Sequence, residues 1–385
     1  MSAPGAGLPI AGPLLAWYET HRRTLPFRSR PTPYRVWVSE IMLQQTRVSA
    51  ALPYYRRFME ALPTVADLAA CPEDRLMKLW EGLGYYSRAR NLQKAARLVM
   101  EQYGGQLPAC YEELQKLPGI GAYTAGAIAS IAFGLPAPAV DGNVLRVFTR
   151  LLADDGDIAR PDTRRRLTAA VLAAQPPARP GDYNQALMEL GALVCLPGSV
   201  PNCAACPLAG LCAARAAGRQ GDFPVKAKAP VRKIRQYTVC LVVRGLPGPE
   251  GQGAGPGASA QQRLGGGQPP ALLLTRRPAR GLLAGLWQPV LLEGVLDAAQ
   301  SRSALARLGI AAQPAGNLGP ARHIFTHLEW HMTGWLFHWQ AGTPEGAVWA
   351  RREQLDGAYA LPTAVKNYTD TVRALFTGYS GPAEN

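Results

Sequence analysis

Between residues 14 and 217 apolar side chains recur at steps of three and four, whereas beyond residue 236 they run in short unbroken blocks. That change of period divides the chain into a part that must pack helices and a part that must pack strands. Leu76, Leu79, Trp80 and Leu83 share one helical face, as do Leu187, Leu190 and Val194. Pro53, Pro63, Pro72, Pro108, Pro118 and Gly119 break the connections. Thr32-Pro33 reads as an N-cap with proline at the first helical position, predicting a helix through Trp37, Glu40 and Leu43. Further on, residues 237–243 and 271–275 are expected as buried strands, with others at Leu286-Trp287, around 323–339 and at 347–349.

Between these parts, Phe223-Pro224 and Pro230 interrupt regularity, and Lys226, Lys228, Arg232, Lys233 and Arg235 supply positive charge. The expected organisation is a helical domain over 1–219, a basic linker over 220–235, a smaller α+β domain over 236–377 and a tail over 378–385. Residues 245–270, dense in Gly, Pro, Gln and Ala, cannot bury a core and are expected as a disordered insertion. No internal repeat is visible.

Lys and Arg number 41 against 27 Asp and Glu, a net charge of +14, which suits a polyanion such as nucleic acid. No run approaches the roughly 18 apolar residues of a membrane span, so no membrane partner is expected. The opening residues have no basic segment followed by an apolar one, which points to a cytoplasmic, nucleoid-associated location. In such a reducing compartment seven cysteines do not form a disulfide framework. Four of them, Cys195, Cys203, Cys206 and Cys212, form C-x7-C-x2-C-x5-C, while Cys71, Cys110 and Cys240 are scattered. Four thiolates this close fit one Zn²⁺ or one [4Fe–4S] cluster.

Leu117-Pro118-Gly119-Ile120-Gly121-Ala122-Tyr123-Thr124-Ala125 reads as a helix end, a tight turn and a new helix start. The glycines permit unusual backbone angles, and the amides of the new helix can bind a phosphate. An ordinary Pro-Gly turn would look the same in isolation. Val140-Asp141-Gly142-Asn143-Val144 follows about twenty residues later.

Asn184–Ala192, leading into Cys195, and Cys206-Pro207-Leu208 resemble the cluster loop of the endonuclease III-like helix–hairpin–helix glycosylases. Tyr34–Thr46 and Gly82–Leu92 resemble, more specifically, the adenine DNA glycosylase (MutY) family. The resemblance covers most of residues 14–217 and extends more weakly to the C-terminal part. It implies a multidomain fold, an all-α helix–hairpin–helix glycosylase core with a [4Fe–4S] cluster loop plus a C-terminal α+β Nudix-like domain. The cluster would be held by Cys195, Cys203, Cys206 and Cys212, although the family usually places six residues between its first two cysteines and this chain has seven.

The resemblance also implies a chemistry. Glu40 would protonate adenine N7, which requires a pKa raised by a desolvated pocket. Asp141 would stay ionised, stabilising the cationic sugar or forming a transient adduct. Tyr123 stands where bifunctional relatives carry a Schiff-base lysine, and a phenol cannot form that imine. A monofunctional enzyme is therefore expected, with Tyr123 and Asn143 positioning Asp141. The flipped adenine would leave a gap lined by Gln44, Gln45 and Thr46, with Tyr85 wedged beside the opposite base. Arg28 and Leu43 are also expected to contact DNA or base, and Gly119 and Gly121 to grip the backbone. Phe27 replaces the tryptophan often found in the family.

Gly281–Pro289 and Arg322–His327 look like the family's C-terminal domain. The acidic REx2EE helix of Nudix hydrolases is absent, so the implied task is recognition of 8-oxoguanine by Phe325, Thr326 and His327. The expected partner is double-stranded DNA containing A:8-oxoguanine or A:G mispairs, met by a monomer. Two rival readings are an endonuclease III-like glycosylase and AP lyase acting on oxidised pyrimidines, and a non-catalytic lesion-binding protein. Tyr123 and the second domain speak against the first, and the presence of both Glu40 and Asp141 against the second.

Overall fold

Thirteen α-helices precede the first strand among the described residues: α1 (Ala11–His21), α2 (Pro26–Ser29), α3 (Pro33–Leu43), α4 (Val48–Ala61), α5 (Val65–Ala70), α6 (Glu73–Leu79), α7 (Ser87–Gln102), α8 (Tyr111–Lys116), α9 (Ala122–Ala127), α10 (Gly142–Leu152), α11 (Pro161–Ala173), α12 (Pro180–Leu193) and α13 (Ala213–Ala216). The computed structural model describes residues 7–198, 200–227, 231–246 and 269–377. Packing divides the chain into two units, Met1–Cys71 with Arg90–Ala229, and Pro72–Ala89 with Pro230–Asn385.

Local chemistry starts the helices that matter most. Thr32 Oγ1 accepts from the Arg35 amide at 3.3 Å and Pro33 occupies the first turn, so α3 begins where the sequence predicts. Asp141 is itself the N-cap of α10, its carboxylate accepting from the Val144 amide at 2.8 Å. In the first unit α1, α10, α11 and α12 bury Leu14, Tyr18, Phe148, Leu167, Tyr183 and Leu187 against one another. Each such side chain contributes about 1.5–3 kcal/mol through removal from water.

The second unit is built on a mixed sheet of β1 (Lys233–Arg244), β2 (Ala271–Arg276), β3 (Trp287–Gln288), β4 (Val290–Glu293), β5 (Ala311–Ile324), β6 (Leu328–Ala341) and β7 (Val348–Ala350). The main order is β3-β2-β1-β6-β5, with β4 paired to β1 and β7 to β2. Strands β1 and β6 run parallel, Val239 opposite Gly334, while β5 and β6 form an antiparallel hairpin turned by Phe325-Thr326-His327. Alternation along β1 feeds two cores. Val239, Leu241 and Val243 pack with α15 (Arg352–Gly357) and α16 (Lys366–Thr377) through Leu355, Tyr368 and Phe376. Cys240 and Val242 pack with α14 (Ala298–Arg307) through Leu305, together with Phe337.

Three local readings change. Strand β1 begins at Lys233, inside the segment read as a linker, so Lys233 and Arg235 are strand residues. Strands β4 and β5 were not foreseen. Residues 311–324 contain two prolines and two glycines, which read as loop, yet β5 lies at the sheet edge and is broken by register shifts where such residues are tolerated. Most of the expected insertion (247–268) and the tail (378–385) lie outside the described residues. No described helix is long and apolar enough to cross a membrane.

Residues 72–89 are fastened to the second unit by specific bonds. Lys78 Nζ donates to the carbonyls of Leu355 (2.9 Å) and Tyr359 (3.2 Å), and Glu81 Oε1 accepts from the Leu361 amide at 2.7 Å. Arg276 pairs with Asp74 at 3.0 Å.

Candidate active site

Helices α3, α9, α10 and α12 enclose a cavity of about 630 Å³, and Glu40, Tyr123, Asp141, Asn143 and Met188 all line it. Glu40 sits near the end of α3, a helix buried on most of its surface, and is only 6% exposed. Burial pushes its carboxyl up to about 7; the Tyr123 hydroxyl opposes the rise, Asp141 adds to it and Arg28 opposes it. The Tyr123 hydroxyl donates to Glu40 Oε2 and lies 3.7 Å from Met188 Sδ. Its bond therefore goes to Glu40 rather than to Asp141, which differs from the positioning role the sequence suggested.

Asp141 is held by other means. Its Oδ1 accepts from the Val144 amide and its Oδ2 from Asn143 Nδ2, both at 2.8 Å. Burial raises its pKa as well, and these N–H donors oppose the rise. Two N–H donors reach the Asp141 carboxyl, whereas a hydroxyl faces Glu40. That contrast distinguishes the two acids more than burial does. Arg146, one turn further along α10, donates to Asn143 Oδ1 (2.9 Å), the Gly191 carbonyl (2.9 Å) and the Cys195 carbonyl (2.8 Å).

Arg28 and Leu43 line the same cavity. Arg28 is engaged there, its Nη2 donating to Glu189 Oε2 at 2.8 Å. Glu189 was not singled out from the sequence. It is fully buried on α12; burial pushes its pKa up, but the hydrogen bonds from Arg23 and Arg28 outweigh this and hold it at about 2. Arg23 reaches it at 2.6 Å. The available signal was an acid on a helix otherwise buried through Leu187 and Leu190. Phe27 is buried and packs edge-on against Tyr55.

After α3 the chain turns through Gln44, Gln45 and Thr46. Gln44 Nε2 donates to Thr124 Oγ1 at 3.3 Å, Thr46 lines the cavity, and Gln45 is exposed with φ +56°. A side chain in that left-handed region is uncommon and clusters at functional sites. The hairpin joins α8 to α9. Gly119 (φ +80°) must be glycine, since a β-carbon there would lie 2.8 Å from that of Asn91; Gly121 caps α9 and is exposed.

In the second unit, Tyr85 shares the left-handed conformation (φ +48°) and is 47% exposed. Its hydroxyl lies 2.8 Å from Thr326 Oγ1 at the β5–β6 turn. Phe325 stacks edge-on between His323 (4.6 Å) and Trp330 (5.1 Å), while Thr326 and His327 are exposed. The turn thus gathers Phe325, Thr326 and His327 with Tyr85, all four of them selected from the sequence.

Cys195, Cys203, Cys206 and Cys212 line one small cavity together with Arg150 and Gln220. At the base of the loop between the first two cysteines, the Val194 carbonyl accepts from both the Leu196 and Asn202 amides. Burial and the neighbouring thiols push Cys206 up to about 11 and Cys212 in the same direction, so binding a metal must displace protons. Among the described residues no three His, Cys, Asp or Glu side chains are drawn together tightly enough to hold one metal ion. The donor set, four soft thiols with N–H groups from Arg150 and Gln220 directed at sulfur, fits an anionic thiolate-ligated group.

Fold and site together define a helix–hairpin–helix protein of base-excision repair, and residues 38–171 match the HhH-GPD superfamily of base excision DNA repair proteins, with a NUDIX domain over 267–371. Adenine DNA glycosylases of rat and human are each 38% identical over 92% of this chain, covering 76% and 72% of their own lengths. That of fission yeast, Schizosaccharomyces pombe, is 31% identical, also over 92% of this chain and 87% of its own. The chain belongs to the adenine DNA glycosylase family. Among solved structures, a thermostable thymine-DNA glycosylase aligns at 28% identity over 54% of this chain and 95% of its own, with a TM-score of 0.49.

Proposed function

We propose that this protein hydrolyses the N-glycosidic bond of adenine mispaired with 8-oxoguanine or guanine in duplex DNA, as a monofunctional glycosylase. The observation that carries the reading is a buried carboxyl, Glu40, poised at about 7 in the cavity that also holds Asp141. An acid with that pKa keeps its proton near neutrality and can deliver it to an extruded purine. Tyr123 occupies Oε2, leaving Oε1 to carry the proton. Asp141, anchored by Val144 and Asn143, faces the electron-poor sugar as base departure builds positive charge. Among the described residues no lysine lines the cavity, which favours base release without imine formation and strand cleavage.

Gln44, Gln45 and Thr46 line the vacated stack, and Gly119 and Gly121 bring hairpin amides to the phosphates. Phe325, Thr326 and His327, with Tyr85, read the base opposite. Cys195, Cys203, Cys206 and Cys212 would hold a [4Fe–4S] cluster, which when bound cross-links the loop after α12. Excision from an A:8-oxoguanine duplex, with Glu40→Gln as control, tests the reading. No base release by the intact protein, or full turnover by the variant, would refute it. Borohydride trapping of a stoichiometric protein–DNA adduct would refute the monofunctional part.

A further inference from the structure

Arg150 is a wholly buried arginine, 2% exposed, on the inner face of α10. Its Nε donates to the carbonyls of Gln220 (2.9 Å) and Phe223 (3.2 Å). Nη1 donates to the Leu196 carbonyl (2.8 Å) and reaches Cys195 Sγ (3.3 Å), and Nη2 donates to the Gly198 carbonyl (2.8 Å). In return Cys212 Sγ donates to the Arg150 carbonyl at 3.4 Å. The guanidinium thus touches the chain on both sides of the cysteine loop and one of its sulfurs directly.

What it lacks is a counter-charge. Among the described residues no carboxylate pairs with it, and no Asp or Glu lines the cavity it shares with the four cysteines. Carbonyl dipoles satisfy its N–H groups without cancelling its charge, and a buried unpaired cation is costly. Elsewhere in this unit the buried charge of Glu189 is met by two arginines. Four thiolates on a doubly positive iron–sulfur core leave a net negative charge at the place where Arg150 points.

We propose that Arg150 is the counter-cation and template of the cysteine-held group: it pre-shapes the loop through its carbonyls and sets the cluster's redox poise by charge and an N–H···S bond to Cys195. The inference rests on reading the loop as an iron–sulfur site. Hydrogen bonds to sulfur and nearby positive charge favour the reduced, more negative state and raise the reduction potential. Lysine keeps the charge but cannot reproduce the five-donor fork.

The test uses the full chain, purified without oxygen, as wild type, Arg150→Gln and Arg150→Lys. Iron and sulfide per chain, the midpoint potential and the rate of iron release to a chelator are measured. Arg150→Gln is expected to shift the midpoint to more negative values and to release iron about tenfold faster. Arg150→Lys is expected to hold the midpoint near wild type while still releasing iron faster. If the glutamine variant is not recovered folded, the lysine variant decides, and iron release at the wild-type rate overturns the proposal. An unmoved midpoint in Arg150→Gln, with iron present in the wild type, overturns the proposal alone. Stoichiometric zinc and no iron in the wild type overturns the cluster reading and the proposal with it.

Discussion

Gly191 on α12 lies so close to Asn143 that a β-carbon built on the glycine would come within 2.6 Å of the asparagine β-carbon and 3.2 Å of its α-carbon. Asn143 holds Asp141, so this bare contact fixes how near α12 may come to the acid at the head of α10. Gly191→Ala must push backbone rather than a flexible tip. The expected result is about a hundredfold loss in single-turnover base excision, as for a misplaced reacting group. A loss of about 1–3 kcal/mol in denaturant stability should accompany it. A variant with wild-type turnover would mean that Asn143 does not orient Asp141.

Excision should fall as pH rises through about 7, because the raised pKa of Glu40 means its proton is lost there. Glu40→Gln should lose about 10²–10⁴-fold in rate. Stability follows the same group with a defined sign. The folded-state value lies above the ordinary one, so the stabilising contribution is complete below the ordinary value of 4.5 and disappears as pH rises through about 7. Urea titrations at pH 5 and pH 8 should show wild type losing on the order of 3 kcal/mol relative to Glu40→Gln across that window. Parallel behaviour of the two proteins would show that Glu40 is not perturbed.

Glu189→Ala strands two arginines that now share one buried carboxylate. Removing one side of a buried pair costs about 3–5 kcal/mol, and Arg23, about a third exposed, draws the expectation towards the lower end. Guanidinium unfolding curves report it. A change below about 1 kcal/mol, the range of exposed pairs, would contradict the clamp.

Tyr85→Phe and Thr326→Val each break the same hydroxyl–hydroxyl contact. Each should lower the preference for adenine opposite 8-oxoguanine over adenine opposite guanine. The double variant should lose less than the sum, with a coupling of about 0.5–1.5 kcal/mol. Strict additivity of the rate ratios would show that the two residues act separately.

Much of this was legible in the chain. The helical period, the Thr32 cap and the cysteine spacing mark local physics, and local physics survives in sequence. Glu40 could be singled out because Trp37, Ile41 and Met42 bury its face. Strand β5 was hidden because edge position, a property of the whole sheet, licenses prolines that local rules count as loop. Glu189 was hidden because its partners, Arg23 and Arg28, lie more than 160 residues away. The hydrogen bond of Tyr123 to Glu40 was hidden because both acids are remote from it in sequence and only packing chooses between them.

The bonds from Lys78 and Glu81 have a practical corollary for anyone building hybrids of such proteins. Tyr85 and Thr326 stand 241 positions apart, yet they sit on a single body. A chimera cut once near residue 230 would transplant the hairpin tip and leave its tyrosine behind on a foreign scaffold. Keeping the Tyr85–Thr326 contact intact calls for two inserts, residues 72–89 and the C-terminal part, moved as a matched set.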